Sequence, residues 1–405
     1  MSYSKNEKYL LAALAGAKFT HIIDFMVMMP LGPQLMKIFN ITAKEFGFLV
    51  ASYTMSAGIA VLLSSFFIDR LPRRKAVLTA YFGFIVGTLA CGLANSFFLL
   101  LMARMLTGIF GGILNALILS TVGDSFSIGK RAGAMGIVLS AFSSAAAFGV
   151  PFGIYIASIG QWNWPFLILV LVSIPVWFLL FYNLKTNDKK STETSFDKVN
   201  PFSVITRVLK NPNQLTALGM SLTLVLSQFM IIPYISPYMV GNIGFKQIDL
   251  VYIYFIGGLC TLASGPIIGR LADKYGHKKL FIIFAFTSII PILLLTHLPM
   301  VAMPVALVVT SMFFIFISGR IIPSTTMVVS SAETRYRAGF VSINTSMQQF
   351  AAGTAAIISG LMVTETSNIN TGVNSISGYE NIGWLAFALT IISIYLGSRL
   401  VPVKD

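Results

Sequence analysis

Long apolar stretches alternate with short polar segments along the whole chain, and this alternation is the dominant pattern of the sequence. A helix that crosses a lipid bilayer needs about 20 predominantly apolar residues. Twelve stretches meet this requirement, so the pattern predicts an all-α membrane protein with twelve transmembrane helices. The stretches lie at residues 9–36, 46–68, 76–94, 97–122, 132–158, 164–184, 214–240, 248–269, 280–296, 301–328, 339–363 and 383–402.

One polar segment is longer than the others and separates the predicted helices into two groups of six. It begins with KTNDKKSTETSFDKVN, whose charge and serine/threonine content are typical of a solvated linker. PFSVITRVLK follows at 201–210 and predicts either a plain linker helix or an amphipathic helix at the membrane surface. We therefore predict two six-helix bundles, at 1–184 and 214–405, joined by a linker at 185–213.

The composition supports a membrane protein and argues against a soluble domain. Hydrophobic residues make up 56% of the 405 residues and charged residues only 10%, against about 25% charged in an average soluble domain. Mean hydropathy is +0.82. Cys91 and Cys260 lie in separate apolar stretches, so no disulfide framework is indicated.

The net charge of +14 comes from short basic clusters between the apolar stretches, so we predict no nucleic-acid partner. With the N-terminus inside, 22 of the 28 lysines and arginines fall in cytoplasmic segments and three in external loops. This bias predicts that both termini and the linker are cytoplasmic. The expected location is the cell membrane, which is the inner or plasma membrane in a bacterium, with the lipid bilayer as solvent.

Two loops that follow the second and eighth stretches repeat one motif, an acid followed by bases. They are SFFIDRLPRRK at Ser65–Lys75 and GRLADKYGHKK at Gly269–Lys279. The second loop resembles the signature loop of the major facilitator superfamily, through Gly269, Leu271, Ala272, Asp273, Gly276, Lys278 and Lys279. The first loop keeps Asp69, Arg70, Arg73 and Arg74 but has Ser65 and Pro72 where that family usually has glycine.

Further motifs resemble the drug and sugar efflux permeases of the same superfamily. RMLTGIFGG, with Arg104, Gly108 and Gly111, is similar to the proton-antiporter motif of the fourth helix. FGVPFG is similar to the fifth-helix motif of exporters, through Gly149, Pro151 and Gly153. WNWPF at 162–166 and Asp24 before PLGP extend the likeness, although Asn163 stands where those permeases often have arginine.

The resemblance implies the major facilitator fold, in which two six-helix halves rock around a midplane site. It also implies that the repeated loops and the fifth-helix motif act in gating. The gating residues expected on this basis are Asp69, Arg70, Arg73, Gly269, Asp273, Gly276, Lys278, Gly149, Pro151 and Gly153. The alternative for the two loops is that their charged residues only fix the orientation of the helices in the membrane.

The stretch FTHIIDFMVMMPLGPQL places charged side chains inside an apolar helix, where they are costly and usually functional. Asp24 lies about ten residues from the external end of the first helix and Arg104 about eight from that of the fourth, so a rise of about 1.5 Å per residue puts them at similar depth. A carboxylate buried there is more easily protonated. Asp24 is therefore either a proton carrier partnered by Arg104 or half of a static ion pair.

Lys18 and His21 lie on the same broad face of this helix as Asp24, because steps of three residues keep side chains together. Histidine titrates near neutral pH, so His21 can relay protons, or it is only hydrogen-bonded. Lys18 either faces the substrate or extends to the cytoplasmic surface.

Arg320 lies in the tenth stretch with no intramembrane acid opposite it. Backbone carbonyls, water or an anionic substrate can satisfy such a cation, and we favour a substrate with negative charge or many hydroxyls. Other polar residues in the helices bind substrate or form helix-packing hydrogen bonds. The substrate-binding candidates are Lys18, Tyr53, Asn115, Gln228, Tyr234, Arg320, Asn344 and Gln348.

Together these observations predict a proton-coupled exporter of a small organic molecule, working as a monomer without a cofactor. The nearest alternative is a proton-coupled uptake symporter of a polar or anionic metabolite. A channel or membrane receptor is the alternative from another class. A membrane enzyme is disfavoured because the sequence has no metal-spaced His/Cys cluster, no nucleophile elbow and no acidic pair within the membrane. ATP-driven transport is disfavoured because the sequence has no Walker-type nucleotide loop.

Overall fold

The computed structural model describes residues 3–64, 71–184, 201–333, 336–367 and 374–403. These residues form helices almost throughout, with one short antiparallel hairpin. The helices are α1 (Lys5–Val27), α2 (Gly32–Phe39), α3 (Ala43–Ser64), α4 (Arg73–Leu93), α5 (Phe97–Ser125), α6 (Ile128–Ser144), α7 (Val150–Ile159), α8 (Trp164–Asn183), α9 (Pro201–Lys210), α10 (Pro212–Ile231), α11 (Ile235–Gly241), α12 (Leu250–Tyr275), α13 (His277–Thr287), α14 (Ile289–Thr296), α15 (Met303–Val329), α16 (Arg337–Met362) and α17 (Tyr379–Arg399). The hairpin pairs β1 (Thr364–Ser367) with β2 (Asn374–Ser377).

The helices run back and forth between two ends of the molecule. We call the end that holds the chain termini the terminal end, and the opposite end, which holds β1 and β2, the hairpin end. At the terminal end, Lys130 pairs with Glu7 at 2.9 Å, and the Val403 amide bonds the Ser330 carbonyl at 2.9 Å. At the hairpin end, the Asn242 side chain accepts from the Ile376 amide at 2.9 Å and donates to its carbonyl at 2.8 Å.

Several long helices are interrupted where proline removes a backbone donor. A turn around Pro30 separates α1 from α2, and a 3₁₀ turn at Ile232–Tyr234, which contains Pro233, separates α10 from α11. A π-helical segment, Ala145–Gly149, lies between α6 and α7 just before Pro151. These interruptions divide single predicted stretches into two helices without changing the path of the chain.

Eleven helical segments within the described residues are long and apolar enough to cross a membrane. The eleventh predicted stretch forms α16, a helix of 26 residues that is not among them. Its central turns contain Asn344, Gln348 and Gln349, which lower its apolar character. The described chain is thus a multi-pass membrane protein of the all-α class, and the twelfth crossing stays a prediction.

We refer to the described residues up to 184 as the N-terminal half and those from 201 as the C-terminal half. The halves meet mainly where α3 packs against α16 and where the π segment packs against α12. Both contacts depend on glycine. A side chain at Gly47 would lie 2.5 Å from the Ala356 carbonyl, and one at Gly258 would lie 2.5 Å from the Ala147 Cα. The domain boundaries at 184 and 214 stay a prediction.

The predicted linker helix at 201–210 is the helix α9, and it packs on α10 and α16. Val208 is buried and Leu209 is 63% exposed, so the helix has one packed and one open face. Arg207 pairs with Glu333 at 2.7 Å and lies over the Tyr336 ring at 4.2 Å from its centroid. These contacts fix α9 to the C-terminal half. Its placement at a membrane surface stays a prediction.

The close packing of α5 on α3 within the N-terminal half can be tested by substituting a glycine at the contact. A Cβ at Gly112 would lie 2.8 Å from the Ala57 carbonyl, which is backbone and cannot rotate away. We expect Gly112→Ala to destabilise the protein by about 1–3 kcal/mol through overpacking. Gly136→Ala is the control, because a Cβ there meets nothing within 4 Å, and we expect it to be neutral or stabilising by up to about 1 kcal/mol.

The measurement is thermal unfolding of both variants in the same detergent. Equal melting temperatures for Gly112→Ala and Gly136→Ala would contradict the close contact between α3 and α5.

Candidate functional site

A buried ion pair lies in the interior of the N-terminal half. Asp24 on α1 accepts a hydrogen bond from the Arg104 guanidinium on α5, with 2.7 Å between Oδ2 and Nη1. The exposed fraction is 0% for the Asp24 side chain and 1% for that of Arg104. Nη1 of Arg104 also bonds the Asp24 backbone carbonyl at 3.3 Å, and the Thr88 hydroxyl donates to Oδ1 at 3.1 Å. The Asp24 carboxylate therefore joins α1 to two other helices, α4 and α5.

Tyr53 on α3 extends this pair into a chain of contacts. Its ring lies under the Arg104 guanidinium at 4.5 Å from the centroid, and its hydroxyl is 3.0 Å from Nε2 of His21. A cation over an aromatic face is stabilised by the quadrupole of the ring. Asp24, Arg104, Tyr53 and His21 thus form one continuous buried polar cluster, which we call the Asp24 cluster.

Two glycines of the RMLTGIFGG motif allow α3 to approach α5 closely enough to form this cluster. A side chain at Gly108 would collide with the Tyr53 carbonyl. One at Gly111 would lie 2.5 Å from the Tyr53 hydroxyl and 3.1 Å from Nε2 of His21. These glycines therefore position the tyrosine that contacts both Arg104 and His21.

Lys18 lies one turn from His21 on α1 and bonds the Asn115 side chain on α5. It is 8% exposed, and within the described residues it has no carboxylate partner. The structure therefore brings together five of the residues singled out from the sequence on α1 and α5, namely Lys18, His21, Asp24, Arg104 and Asn115, with Tyr53 from α3.

Arg320 is also completely buried, but its partners are neutral. Its guanidinium donates to the hydroxyls of Thr390 at 3.0 Å, Ser288 at 3.4 Å and Ser227 at 3.4 Å. Within the part of the chain that the structure describes, no carboxylate pairs with it, and its Nε has no hydrogen-bond partner. Arg320 therefore points into the C-terminal half and lies apart from the Asp24 cluster.

The remaining substrate-binding candidates are spread along the C-terminal half. Tyr234 lies at the hairpin end, where its hydroxyl donates to the Ala43 carbonyl at 2.8 Å. Gln228 is half-buried on α10, and Asn344 is 8% exposed on α16 with its Oδ1 unpartnered among the described residues. Gln348 is half-buried on α16. The structure does not join these side chains into one cluster.

The described gating candidates of the two loops contact their own halves. Arg73 pairs with Asp124 at 3.0 Å, and Lys278 donates to the Leu400 carbonyl at 3.3 Å. Asp273 is exposed and lies 3.6 Å from His277. Gly276 has a φ of 93°, which glycine adopts without strain, and a side chain at Gly269 would meet nothing within 4 Å. Asp69 and Arg70 lie outside the described residues.

The fifth-helix motif packs against α1 close to Asp24. A side chain at Gly149 would collide with Ile23, and one at Gly153 would lie 2.7 Å from Val27. Pro151 follows the π segment, in which the Val150 amide bonds the Ala145 carbonyl five residues back. The motif thus holds α1 at the level of the ion pair.

Sequence reasoning missed the hydroxyl partners of Asp24 and of Arg320. Thr88 on α4, and Ser227, Ser288 and Thr390 around Arg320, are single small polar residues in apolar helices. Such residues commonly bond their own backbone, so their type alone gives no signal. No group of three or more His, Cys, Asp or Glu within the described residues is arranged to hold a metal ion.

The family model of the major facilitator superfamily matches residues 14–356 and 226–405, so the chain belongs to this superfamily. It is 31% identical over 194 residues to the uncharacterized MFS-type transporter YhcA of Bacillus subtilis (strain 168), covering 47% of this chain and 36% of that protein. It is 23% identical over 296 residues to multidrug resistance protein 2 of the same organism, covering 72% and 74% of the two chains.

A crystal structure of a D-xylose–proton symporter matches the fold, with a TM-score of 0.77 and 17% identity, covering 98% of this chain and 97% of that one. The chain is accordingly a membrane transporter of the major facilitator fold and not an enzyme.

The buried pair makes a prediction about stability. Removing one charge of a buried pair leaves the other uncompensated and typically costs about 3–5 kcal/mol. We expect Asp24→Asn and Arg104→Gln each to lower thermal stability, and the double variant to lose clearly less than the sum of the two.

A double-mutant cycle on melting in detergent checks this coupling. The control cycle uses Glu7→Gln and Lys130→Gln, a pair whose side chains are about one-quarter exposed, for which we expect at most about 1 kcal/mol. Additive losses at positions 24 and 104 would show that the two side chains do not depend on each other.

Proposed function

We propose that this transporter is a proton-coupled antiporter that exports a small organic molecule by alternating access between its two halves. The observation that carries the proposal is the Asp24–Arg104 ion pair, which is inaccessible to water and yet contains a titratable carboxylate. Intramembrane carboxylates of this kind commonly serve proton relays. The name of the relative multidrug resistance protein 2 supports export over uptake.

The contacts of Asp24 support the proposed proton coupling. While Asp24 is ionised, Arg104 is neutralised at 2.7 Å and α1, α4 and α5 are held together. Taking up a proton removes the negative charge, and Arg104 then lacks its counter-ion, although the Tyr53 ring and the Asp24 carbonyl still contact it. A buried cation without its counter-ion is unstable, so protonation favours a rearrangement of these helices. His21, through Tyr53, is the proposed route for the proton.

We place the terminal end in the cytoplasm and count α16 as the twelfth membrane crossing. The excess of lysine and arginine between helices at the terminal end supports the orientation. The polar residues of α16 do not oppose a crossing, because α16 is covered by α3 and α10 and is not surrounded by lipid. We further propose that the chain works as a monomer of two halves divided at 185–213.

For the substrate we propose a small organic molecule that is anionic or rich in hydroxyls. Lys18 is a buried cation whose described partner is the neutral Asn115 side chain, so it can accept a negative group. Tyr53, Asn115, Gln228, Asn344 and Gln348 are proposed to add hydrogen bonds in one state of the cycle. Arg320 and Tyr234 face other protein groups in this structure, and they would have to change partners to reach a substrate.

Proteoliposomes with an internal pH-sensitive dye test the coupling. Sugars, organic acids and lipophilic dyes are added in turn, and proton movement that depends on the solute identifies a substrate. We expect Asp24→Asn to abolish this movement, whereas Glu7→Gln, which changes an acid at the terminal end of the same helix, keeps it.

Direction is measured with the same vesicles under an imposed pH gradient. Solute and proton moving in opposite directions support the antiporter, and movement in the same direction supports the uptake symporter. Uphill transport by Asp24→Asn with an unchanged pH dependence would exclude Asp24 as the carrier.

The gating role proposed for Asp273 gives a separate prediction. The residue is exposed at the terminal end and far from the Asp24 cluster. We expect Asp273→Asn to slow transport by up to about fivefold while substrate affinity stays unchanged, because contacts of an exposed charge are worth up to about 1 kcal/mol. Asp249→Asn at the hairpin end is the control. A parallel loss of affinity and flux in Asp273→Asn would contradict a gating role.

A further inference from the structure

The first residue of α3 is held by two side chains from the other half of the protein. The backbone amide of Ala43 donates to the Glu365 carboxylate on β1. The backbone carbonyl of the same residue accepts from the Tyr234 hydroxyl at 2.8 Å. Both polar groups of one peptide position in the N-terminal half are thus satisfied by the C-terminal half.

The Glu365 contact completes the capping of α3. Thr42 and Glu45 cap this helix from within, through bonds of 2.7 Å and 3.3 Å between side chains and backbone amides. The amide of Ala43, one of the free donors of the first helical turn, is left for Glu365. A carboxylate at a helix N-terminus is also favoured by the helix dipole. Glu365 therefore occupies a position where its charge strengthens the bond.

The Tyr234 hydroxyl lies in a space that two glycines leave open. A side chain at Gly47 or at Gly360 would approach this hydroxyl to 2.8 Å. The Tyr234 ring is fully buried and packs edge-on against Phe46, with 6.1 Å between the centroids. The tyrosine is thus inserted between α3 and α16 at the point where the two halves meet.

The hairpin that carries Glu365 is fixed to the C-terminal half. Glu365 stands opposite Ile376 in the hairpin register. The backbone of Ile376 is bonded on both sides by the Asn242 side chain at the end of α11. Thr364 and Ser377 add a hydroxyl contact of 2.7 Å across the strands. The carboxylate therefore moves with α11, and separating the halves at this end pulls it away from Ala43.

We propose that Glu365 and Tyr234 are gating residues that form a latch on Ala43 and hold the hairpin end closed until the halves rock apart. We call Ala43, Tyr234 and Glu365 the hairpin latch. Its place in the transport cycle rests on the alternating access proposed above. The latch itself is measurable without substrate or proton gradient, so its failure and the failure of proton coupling are separate results.

Distance measurement between two spin labels tests the latch. Ile38 and Met300 lie at the hairpin end in opposite halves and are 54% and 81% exposed. Both are changed to cysteine in a chain whose Cys91 and Cys260 are replaced by alanine. The label-to-label distance distribution is recorded in lipid nanodiscs for this parent and for Glu365→Ala, Glu365→Gln and Tyr234→Phe.

Two variants at the same end serve as matched controls. Glu380→Gln changes an acid in the first turn of α17. Tyr238→Phe removes a hydroxyl that bonds the Leu298 carbonyl at 2.8 Å within the C-terminal half. Melting temperatures of all variants show that they are folded.

We expect Glu365→Ala to raise the ratio of the long-distance to the short-distance population about tenfold, since a hydrogen bond to a charged group is lost. Tyr234→Phe raises this ratio by a smaller factor. Glu365→Gln keeps an acceptor oxygen, so its ratio lies between those of Glu365→Ala and the parent. Both controls keep the parent distribution. The proposal is overturned if Glu365→Ala and Tyr234→Phe leave the distribution unchanged, or if the controls shift it equally.

Discussion

The need to compensate every charge that is buried away from water governs the N-terminal half. Asp24 and Arg104 are fully buried, and each removes the cost of burying the other. Beside this pair, α5 lies directly against α3, and Gly108 and Gly111 make that approach possible. The tyrosine that this approach brings under Arg104 also contacts His21. Side chains from α1, α3, α4 and α5 therefore meet around one ion pair.

The C-terminal half solves the same problem with neutral groups. Arg320 donates hydrogen bonds to hydroxyls from three other helical segments. These neutral dipoles stabilise its positive charge in place of a carboxylate. Neutral partners do not change their charge with pH, whereas a carboxylate does. The two halves therefore differ in titratable chemistry, which is why the proposed proton site lies in the N-terminal half.

The sequence alone predicted most of the membrane helices and one contact of the site, that between Asp24 and Arg104. Apolar length predicted the membrane helices, because the bilayer sets a minimum length that few other structures need. Similar depth predicted that Asp24 and Arg104 are close, and the ion pair confirms this. Depth does not report the direction of a side chain around its helix, so the position of Tyr234 between α3 and α16 could not be predicted. Its role as a substrate-binding residue stays a prediction. The hairpin was not predicted, since its polar strands differ little from a loop in composition.

The π segment at Ala145–Gly149 determines which way the side chains of α7 point around the helix axis. One extra residue in a turn rotates the following side chains by about 100° relative to a continuous α-helix. Here that rotation turns Gly149 toward Ile23 on α1 while Ala147 lies against Gly258 on α12. Small residues of this crossing therefore face two neighbours at the same depth. Gly149 faces α1, which carries Asp24, and Ala147 faces α12 of the C-terminal half. The insertion of a single residue thus couples the position of the helix that carries Asp24 to the surface where the two halves meet.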